Sequence, residues 1–596
     1  MCGIAGIMTV DGGPADASVL QRLADALSHR GPDGGGRHIR GGLALVHTRL
    51  AIIDLITGDQ PIFASPGGGR QAAIIANAEI YNYVELRRDM EGAAFSTRSD
   101  CEPPLHLYLR HGLDFTRHLR GMYAIAIDDP LTDSLVLARD PFGIKPLYYA
   151  ETAAAFAFAS EAQALHKCGL VTPSLRPEAR DQLLQLKFTC GGETAFEGIH
   201  RVLPGETIVV RRGRIVERRH LAALPGGGPV SLSEGEAEER VEAALRESVA
   251  VHQRSDVPYG MFLSGGVDSS VVLSFMRDLN DTPVEAFTVG FSGTSVHDER
   301  DHARAVAEAA GARFEAVEFS PDDFWGLLPA ICAAMDDPVA DYAVLPTYKL
   351  ARLAQERCLK VILTGEGGDE IFGGYSRYRR LRRPWFLGGR QIRRSGVFDG
   401  LGVLRRSAAG MPANSTWRAG IARAEAEQAG TGRTPVQAAQ AVDCADWLPH
   451  DLLFKLDRCL MAFGVEGRVP FLDPRVAEAA FLLPDKMKVR SGMGKWILRR
   501  LLERKLPQAK PFSRKRGFTV PTGQWILERG KEVGPLVARQ PGVEEACLPG
   551  AVERLFATAG KKQGQAAWNL LFFALWHRAH ILGLPPAGDV FETLAA

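Results

Sequence analysis

The sequence predicts two fold classes in series: an α+β domain built mostly of strands, then an α/β domain around a parallel sheet with a helical C-terminal extension. Three observations carry this reading. Short apolar runs bounded by glycine crowd the first 220 residues, single apolar runs alternate with helical stretches beyond residue 236, and from about 375 the pattern turns helical and basic.

In the first part IAGIM, LALVHTRLAIIDL, AAIIANAEIY, MYAIAID, SLVLARD and AFAFASE have strand length and turn-bounded ends. Two helical stretches interrupt them, residues 18–29 and 103–111. The second opens on Pro103-Pro104, where missing N–H groups do little harm, and stops at Gly112. LAALPGGGPVSLSEGE, from Leu221, is a flexible linker into the helix EAEERVEAALRESV. Then come YGMFLS, a helix from Ser269, VEAFTVGF, a helix from Asp301, FEAVEF and KVILTGEGGDE, the alternation of a parallel sheet covered on both faces. The expected limits are 1–220 for the first domain, 221–235 for the linker and 236–590 for the second.

At 596 residues the chain has material for two to four domains at roughly 150 residues each. A net charge of +1 gives no whole-chain field toward nucleic acid or an acidic membrane. The nine cysteines include no CxxC pair, so neither a zinc site nor a disulfide framework is indicated. The start lacks the regions of a signal peptide, and the apolar stretch 570–576 is far short of the ~20 residues a bilayer needs. A reducing cytoplasm is the expected location, and it keeps a thiol reactive.

That matters because the chain opens MCGIAGI. Once Met1 is removed, Cys2 carries a thiol and an α-amino group whose pKa of about 7.7–8.0 lets it accept the thiol proton. Most cysteines are small buried hydrophobes, and position 2 alone does not override that.

In YGMFLSGGVDSS a strand runs into a glycine turn that opens a helix. Gly265 and Gly266 let backbone N–H groups face an anion, the helix terminus adds its dipole, and Ser264 and Ser269 add hydroxyls. A plain strand–turn–helix corner accounts for the glycines but not for Asp268 flanked by serines, which we read as a Mg²⁺ ligand. No lysine follows the glycines, so this is not the GxxxxGK[ST] loop. TGEGGDEIFGGY repeats the design with Glu366, Asp369 and Glu370; carboxylates beside a polyphosphate are costly unless they bind metal or take a proton.

With these pieces placed, the chain resembles the glutamine-hydrolysing asparagine synthetase family from Cys2 to about Arg578. The motifs are MCGIAG, HRGPDG (29–34), HTRLAIIDL (47–55), NAEIYNY (77–83), RSDCE (98–102) and ARDPFGIKPLYY (138–149). They continue with SGGVDSS, TGEGGDEIFGGY, LDRCLMAFGVEGRVPFLD (456–473) and GKWILRR (494–500). The resemblance implies a four-layer N-terminal-nucleophile glutaminase, sheets between helices, followed by an ATP-pyrophosphatase domain.

It also implies roles. Cys2 attacks the side-chain amide of glutamine through a tetrahedral oxyanion and a thioester. Asn77 and the N–H of Ala78 match the oxyanion hole. Arg49 matches the residue that holds the α-carboxylate and Asp100 the one that holds the α-ammonium; Glu79 and the backbone of Arg49, Leu50, Ala51, Ile52 and Ile53 match further contacts. In the second domain Leu263, Val289, Thr364 and Gly365 match nucleotide contacts beside the SGGVDSS loop. Asp268 and Asp369 match metal-associated carboxylates, Glu366 a residue of the adenylation and ammonia steps, and Lys495 the lysine that steadies phosphate charge. Ammonia passes between the sites inside the protein. The implied small molecules are glutamine, ATP with Mg²⁺, and a carboxylate, aspartate first; neither nucleic acid nor membrane is implied, and a homodimer stays open.

Three features depart from the pattern or stand outside it. Ala78 replaces the usual glycine, where a positive φ would cost roughly 1 kcal/mol or more. Phe463-Gly464 replaces a more polar pair and is expected to alter the acceptor pocket. The basic run 376–385 reads as a solvated helix face or a domain contact rather than a polyanion site. Beside asparagine formation stand the same half-reactions on another carboxylate (a peptide, a sugar acid, a secondary metabolite) and a non-catalytic glutamine or nucleotide sensor. Cys2 argues against a cyclase without glutaminase, and SGGVDSS against an amidotransferase that uses phosphoribosyl pyrophosphate.

Overall fold

The computed structural model describes residues 2–65, 71–90, 92–291, 299–382, 392–393, 395–405, 417–513 and 519–596. Met1, whose removal the sequence reading requires, lies outside them, as do residues 383–385 of the basic run.

The N-terminal part holds twelve strands: β1 Gly3–Thr9, β2 Gly34–Arg40, β3 Leu43–Arg49, β4 Ile62–Ala64, β5 Ala72–Ile80, β6 Gly121–Asp129, β7 Ser134–Arg139, β8 Tyr148–Glu151, β9 Ala155–Ala159, β10 His200–Arg201, β11 Glu206–Arg211 and β12 Arg214–His220. They form two antiparallel sheets, β10-β8-β9-β1-β3-β2 and β12-β11-β7-β6-β5-β4. Their facing sides interdigitate through Ile4, Met8, Leu45, Ile75, Ala124, Ala126, Leu137 and Phe158. The outer face of the first sheet is covered by the helix Ala17–Leu27, which buries Leu20, Leu23 and Leu27. The outer face of the second is covered by the helix Pro103–His111 through Leu105 and Tyr108. Helix, sheet, sheet, helix is the four-layer sandwich expected. β1 and β5 are buried on both faces, which explains their unbroken apolar runs. The edge strand β12 (RIVERRH) is mostly exposed and charged, which discourages edge-to-edge pairing.

A capping box, Ser233 with Glu236, starts the helix Glu234–His252. Beyond it lie β13 Tyr259–Phe262, β14 Glu285–Gly290, β15 Arg313–Glu318, β16 Val361–Leu363 and β17 Glu466–Arg468, all parallel in the order β15-β14-β13-β16-β17. From β13 the chain builds one way to β14 and then returns to the other side at β16. The crevice at the carboxyl ends of β13 and β16 is therefore the topological switch point, where ligands of open α/β sheets bind. The helix after β13 spans Val267–Leu279, two residues earlier than expected, because Gly266 is already an extended N-cap. Asp268 thereby falls in the first turn, where the helix dipole favours a carboxylate.

The C-terminal region is helical. Its helix Lys561–His580 buries every residue from Ala566 to Arg578, so the apolar stretch 570–576 is the centre of a helical core. Among the described residues no helix is long and apolar enough to cross a membrane.

Candidate active sites

The first site assembles where β1, β3 and β5 meet. Cys2, 8% exposed, leads into β1, and its N–H donates to Asn77 Oδ1 at 3.0 Å; its thiol lies 4.0 Å from the carbonyl oxygen of Leu50. Gly3 has to be glycine: a Cβ there would stand 2.5 Å from Thr48 Oγ1. Burial pushes the Cys2 thiol pKa up, so a nearby base is needed to form the thiolate.

Asn77 is fully buried on β5, with Oδ1 taken by Cys2 and Nδ2 without a hydrogen-bond partner. An unpaired buried amide donor is costly, and a donor beside the Cys2 thiol is suited to receive a developing oxyanion there. Ala78 stands opposite Tyr123 in the strand ladder and is not among the residues with positive φ, so its methyl group meets no left-handed backbone and carries no such cost. Strand alternation sends the N–H groups of residues 76, 78 and 80 to one edge. There Gln60 Oε1 accepts from Ala76 at 2.6 Å and Asp100 Oδ2 accepts from Ile80 at 2.8 Å, with the Ala78 N–H between them.

Around this centre stand the other expected residues. Asp100 is buried, and burial raises its pKa to about 6 against the pull of the Ile80 N–H. Glu79 is buried and paired with Arg468 at 2.8 Å; burial pushes its carboxyl well above the usual range, with Arg468 opposing. Arg49 is held by Asp59 Oδ1 at 2.7 Å and by the Asp54 carbonyl at 2.5 Å. The loop of Leu50, Ala51, Ile52 and Ile53 is strapped down at Ala51, whose N–H donates to Asp33, and at Ile52, whose carbonyl accepts from Asp256 at 3.0 Å.

The second site lies at the switch point. After β13, Leu263 is fixed by its N–H to the Phe287 carbonyl, and Gly265 takes φ 70°. Ser264 and Ser269 share a hydrogen bond of 3.1 Å, and Val289 lies near the carboxyl end of β14. After β16, Thr364 donates its N–H to the Arg468 carbonyl at 2.9 Å. The two glycine turns press together: a Cβ on Gly365 would lie 2.9 Å from Ser269 N and 3.0 Å from Asp268 Cβ. Lys495, 2% exposed, pairs with Asp268 and, at 2.7 Å, with Asp369. Burial alone would pull its ammonium down; the two carboxylates reverse that and hold it charged. Glu366 is raised by burial, with Lys455 at 3.9 Å opposing.

Among the described residues no cluster of three metal-ligating side chains exists. Two adjacent carboxylates are nonetheless the set Mg²⁺ takes when phosphates supply its remaining oxygens. Asp268 and Asp369 converge on one ammonium, and a Cβ on Gly374 would fill their cradle, 1.8 Å from Asp369 Oδ1.

The structure thus gathers Cys2, Arg49, Asn77, Ala78, Glu79 and Asp100 in one place and Leu263 to Ser269, Thr364 to Glu366, Asp369 and Lys495 in another. The pair Phe463-Gly464 lies at the domain seam: a Cβ on Gly464 would stand 3.5 Å from Pro32 and 4.0 Å from Leu50 of the first domain, and Phe463 packs on Tyr348. In the basic run Arg377 is turned inward, bonded to Asp443 at 2.8 Å and stacked on Tyr375 and Trp447. Residue-by-residue reading missed Arg30, which donates to Cys2 O at 3.2 Å and to both oxygens of Asp457 at 3.0 and 2.8 Å, and it missed Arg468. Both lie in recognised motifs, HRGPDG and VEGRVPFLD, which were the available signal.

Known proteins match along the same division. The profile of the family described as "Glutamine amidotransferase domain" matches residues 1–221, and that described as "Asparagine synthase" matches 240–578. Asparagine synthetase (glutamine-hydrolyzing) 1 of Bacillus subtilis is 31% identical over 629 aligned residues, covering 98% of this chain and 97% of its own. Asparagine synthetase (glutamine-hydrolyzing) 3 of Arabidopsis thaliana is 28% identical, covering 88% and 80%. Amidase chry2 of Gibberella zeae is 32% identical over a shorter stretch, 64% of this chain and 60% of its own. Two matched domains in this order, with relatives aligned nearly end to end, place the chain in the glutamine-hydrolysing asparagine synthetase family.

Proposed function

We propose that this chain is an ATP-dependent ligase that takes ammonia from glutamine and transfers it to adenylated aspartate, releasing asparagine, AMP and pyrophosphate. The observation that supports it best is the pairing, in one chain, of a buried N-terminal cysteine beside an unpartnered amide donor with a lysine–dicarboxylate cluster at the switch point.

In this reading the freed amine of Cys2 takes the thiol proton. The sulfur adds to the glutamine amide carbon, while Asn77 Nδ2 and the Ala78 N–H receive the oxyanion. Collapse expels ammonia and leaves a thioester that water opens to glutamate. Arg49 and Asp100 hold the two ends of the amino acid. At the second site the helix terminus and Ser264 to Ser269 cradle the ATP phosphates, and Lys495 moves from its carboxylates toward the charge that develops as the acceptor carboxylate attacks the α-phosphorus. Asp268 and Asp369 would hold Mg²⁺, which neutralises pyrophosphate charge when bound. Glu366, a half-buried carboxyl whose pKa is raised by desolvation, is suited to exchange a proton with incoming ammonia. Travel between the sites stays inside the protein, and a reducing cytoplasm preserves the Cys2 thiol.

The test is ATP–pyrophosphate exchange against a panel of carboxylates, together with Cys2→Ala. Exchange with aspartate, and a Cys2→Ala enzyme that makes asparagine from ammonia but not from glutamine, is the expected result. Exchange with a different carboxylate replaces the acceptor and keeps the two half-reactions. Tight glutamine binding with no exchange on any carboxylate sinks the ligase reading.

A further inference from the structure

One side chain reaches into the glutamine pocket from the synthetase domain, and its own main chain holds the nucleotide turn. Arg468 ends β17 and is fully buried. Its carbonyl accepts the N–H of Thr364, the first residue of the turn that carries Gly365, Glu366 and Asp369. Its guanidinium is fixed on several sides: Nε donates to Glu466 Oε1 at 2.6 Å, Nη1 to the carbonyls of His252 and Arg254 at 2.8 and 2.6 Å, and Nη2 stands 2.8 Å from Glu79 Oε2. A planar fork held this way cannot follow Glu79; Glu79 must follow it.

We propose that Arg468 is a positioning residue for glutamine hydrolysis, supplied by the synthetase domain, which holds and aims the Glu79 carboxyl group in the pocket. This rests on the reading of Glu79 as a glutamine contact.

The surroundings of Glu79 show why a fixed cation is needed. It is buried between the sheets, and Glu466 of β17 and Asp100 ahead of the helix Pro103–His111 face it with like charge. The Cys2 thiol and the Tyr81 hydroxyl also sense its charge, as does Lys145, whose own ammonium is pulled down by burial, and the N-terminal amine adds a weaker pull toward the ionised form. Arg468 is the main group opposing the rise that burial imposes on the Glu79 carboxyl, so its loss favours the protonated form further. A neutral carboxyl neither attracts the ammonium of an incoming glutamine nor keeps a set orientation.

Other ties cross the same seam. Asp457 grips Arg30, which bonds the Cys2 carbonyl, and Asp256 holds both Ile52 and Asp54. Arg468 differs from these in reaching a glutamine contact directly while its own strand position, opposite Leu363, sets the nucleotide turn.

The experiment compares Arg468→Gln and Arg468→Lys with the wild-type full-length enzyme. Arg468→Gln should lower kcat/KM for glutamine on the order of 100-fold, the scale expected when a buried ion pair loses one partner, and mainly through KM. ATP–pyrophosphate exchange and ammonia-dependent synthesis should stay within about threefold, since the backbone bond to Thr364 is retained. The variant-to-wild-type ratio of glutamine KM should shrink as pH rises from 6.5 to 8.5 and Glu79 ionises again, and Arg468→Lys should recover part of the loss. An unchanged glutamine KM in Arg468→Gln overturns the proposal. So does an equal loss in pyrophosphate exchange, or a KM ratio independent of pH, because either describes a general structural role. A wild-type enzyme without glutaminase activity would instead refute the proposed function itself.

Discussion

Asn77→Ala removes a side chain whose two ends have opposite effects in the ligand-free enzyme. Its Oδ1 accepts from Cys2 N at 3.0 Å, a bond with a net contribution of about 1 kcal/mol. Its Nδ2 is buried without a partner, a penalty of about 1–3 kcal/mol that alanine abolishes. The two nearly cancel, so the variant should unfold within about 1–2 kcal/mol of wild type. Catalysis has no such offset. Loss of one oxyanion donor costs about 2.7–4 kcal/mol, or about 10²–10³ in kcat, and the Ala78 N–H accounts for what remains. Glutamate release at saturating glutamine, urea unfolding and ammonia-dependent synthesis measure the three quantities on one preparation. Glutamine kcat should fall while the other two hold. A kcat within about threefold of wild type would refute the assignment of Nδ2 to the oxyanion, and a large loss of stability would refute the claim that this donor is unpaired at rest.

Two further outcomes follow from the same pocket. Ala78→Gly should not raise glutamine turnover, since Ala78 already lies in an ordinary strand; it should lower stability by about 0.5–1 kcal/mol through lost backbone restriction, and a tenfold gain in kcat would show that the methyl group misaims the N–H. Asp100, raised to about 6 by burial, must be ionised to hold an ammonium, so kcat/KM for glutamine should fall about tenfold per unit below pH 6, whereas a profile flat to pH 5 would remove Asp100 from the site. The stability sign is opposite. A carboxyl whose folded pKa exceeds its unfolded value contributes stability below about pH 4 that is lost as pH rises through 6, so this one group makes the fold slightly less stable where the pocket works best.

Both glycine turns were legible in the sequence because their constraints are local. A strand, two glycines and a helix start in SGGVDSS dictate where backbone N–H groups point, and the alternation around them dictates a parallel sheet. The switch point itself was not legible: nothing in the run KVILTGEGGDE says that β16 returns to the far side of β13, since strand order is set by pairings distant in sequence, such as Tyr259 with Val361. The helix boundary at Val267 was missed for a smaller reason. Gly266 fills the N-cap position with no side-chain cap to mark it. At Ala78 the cost attached to a positive φ does not arise, because this strand position takes an ordinary backbone conformation.

The seam between the domains was the least legible part, and its chemistry explains why. Arg30 and Asp457 stand 427 positions apart and Arg120 and Asp473 stand 353 apart, yet each pair is buried and hydrogen-bonded. In sequence each such residue looks like an ordinary solvated charge, since burial of a charge is a property of its partner and no local pattern encodes the partner. Such pairs contribute little net stability, because desolvation offsets most of the attraction. What they do impose is geometry: a guanidinium satisfied at several oxygens at once permits one placement of one domain on the other. In this enzyme that placement brings Arg468 to Glu79 and Asp457 to Arg30. The arrangement of the proposed glutamine pocket is therefore fixed partly by residues that its own domain's sequence does not contain.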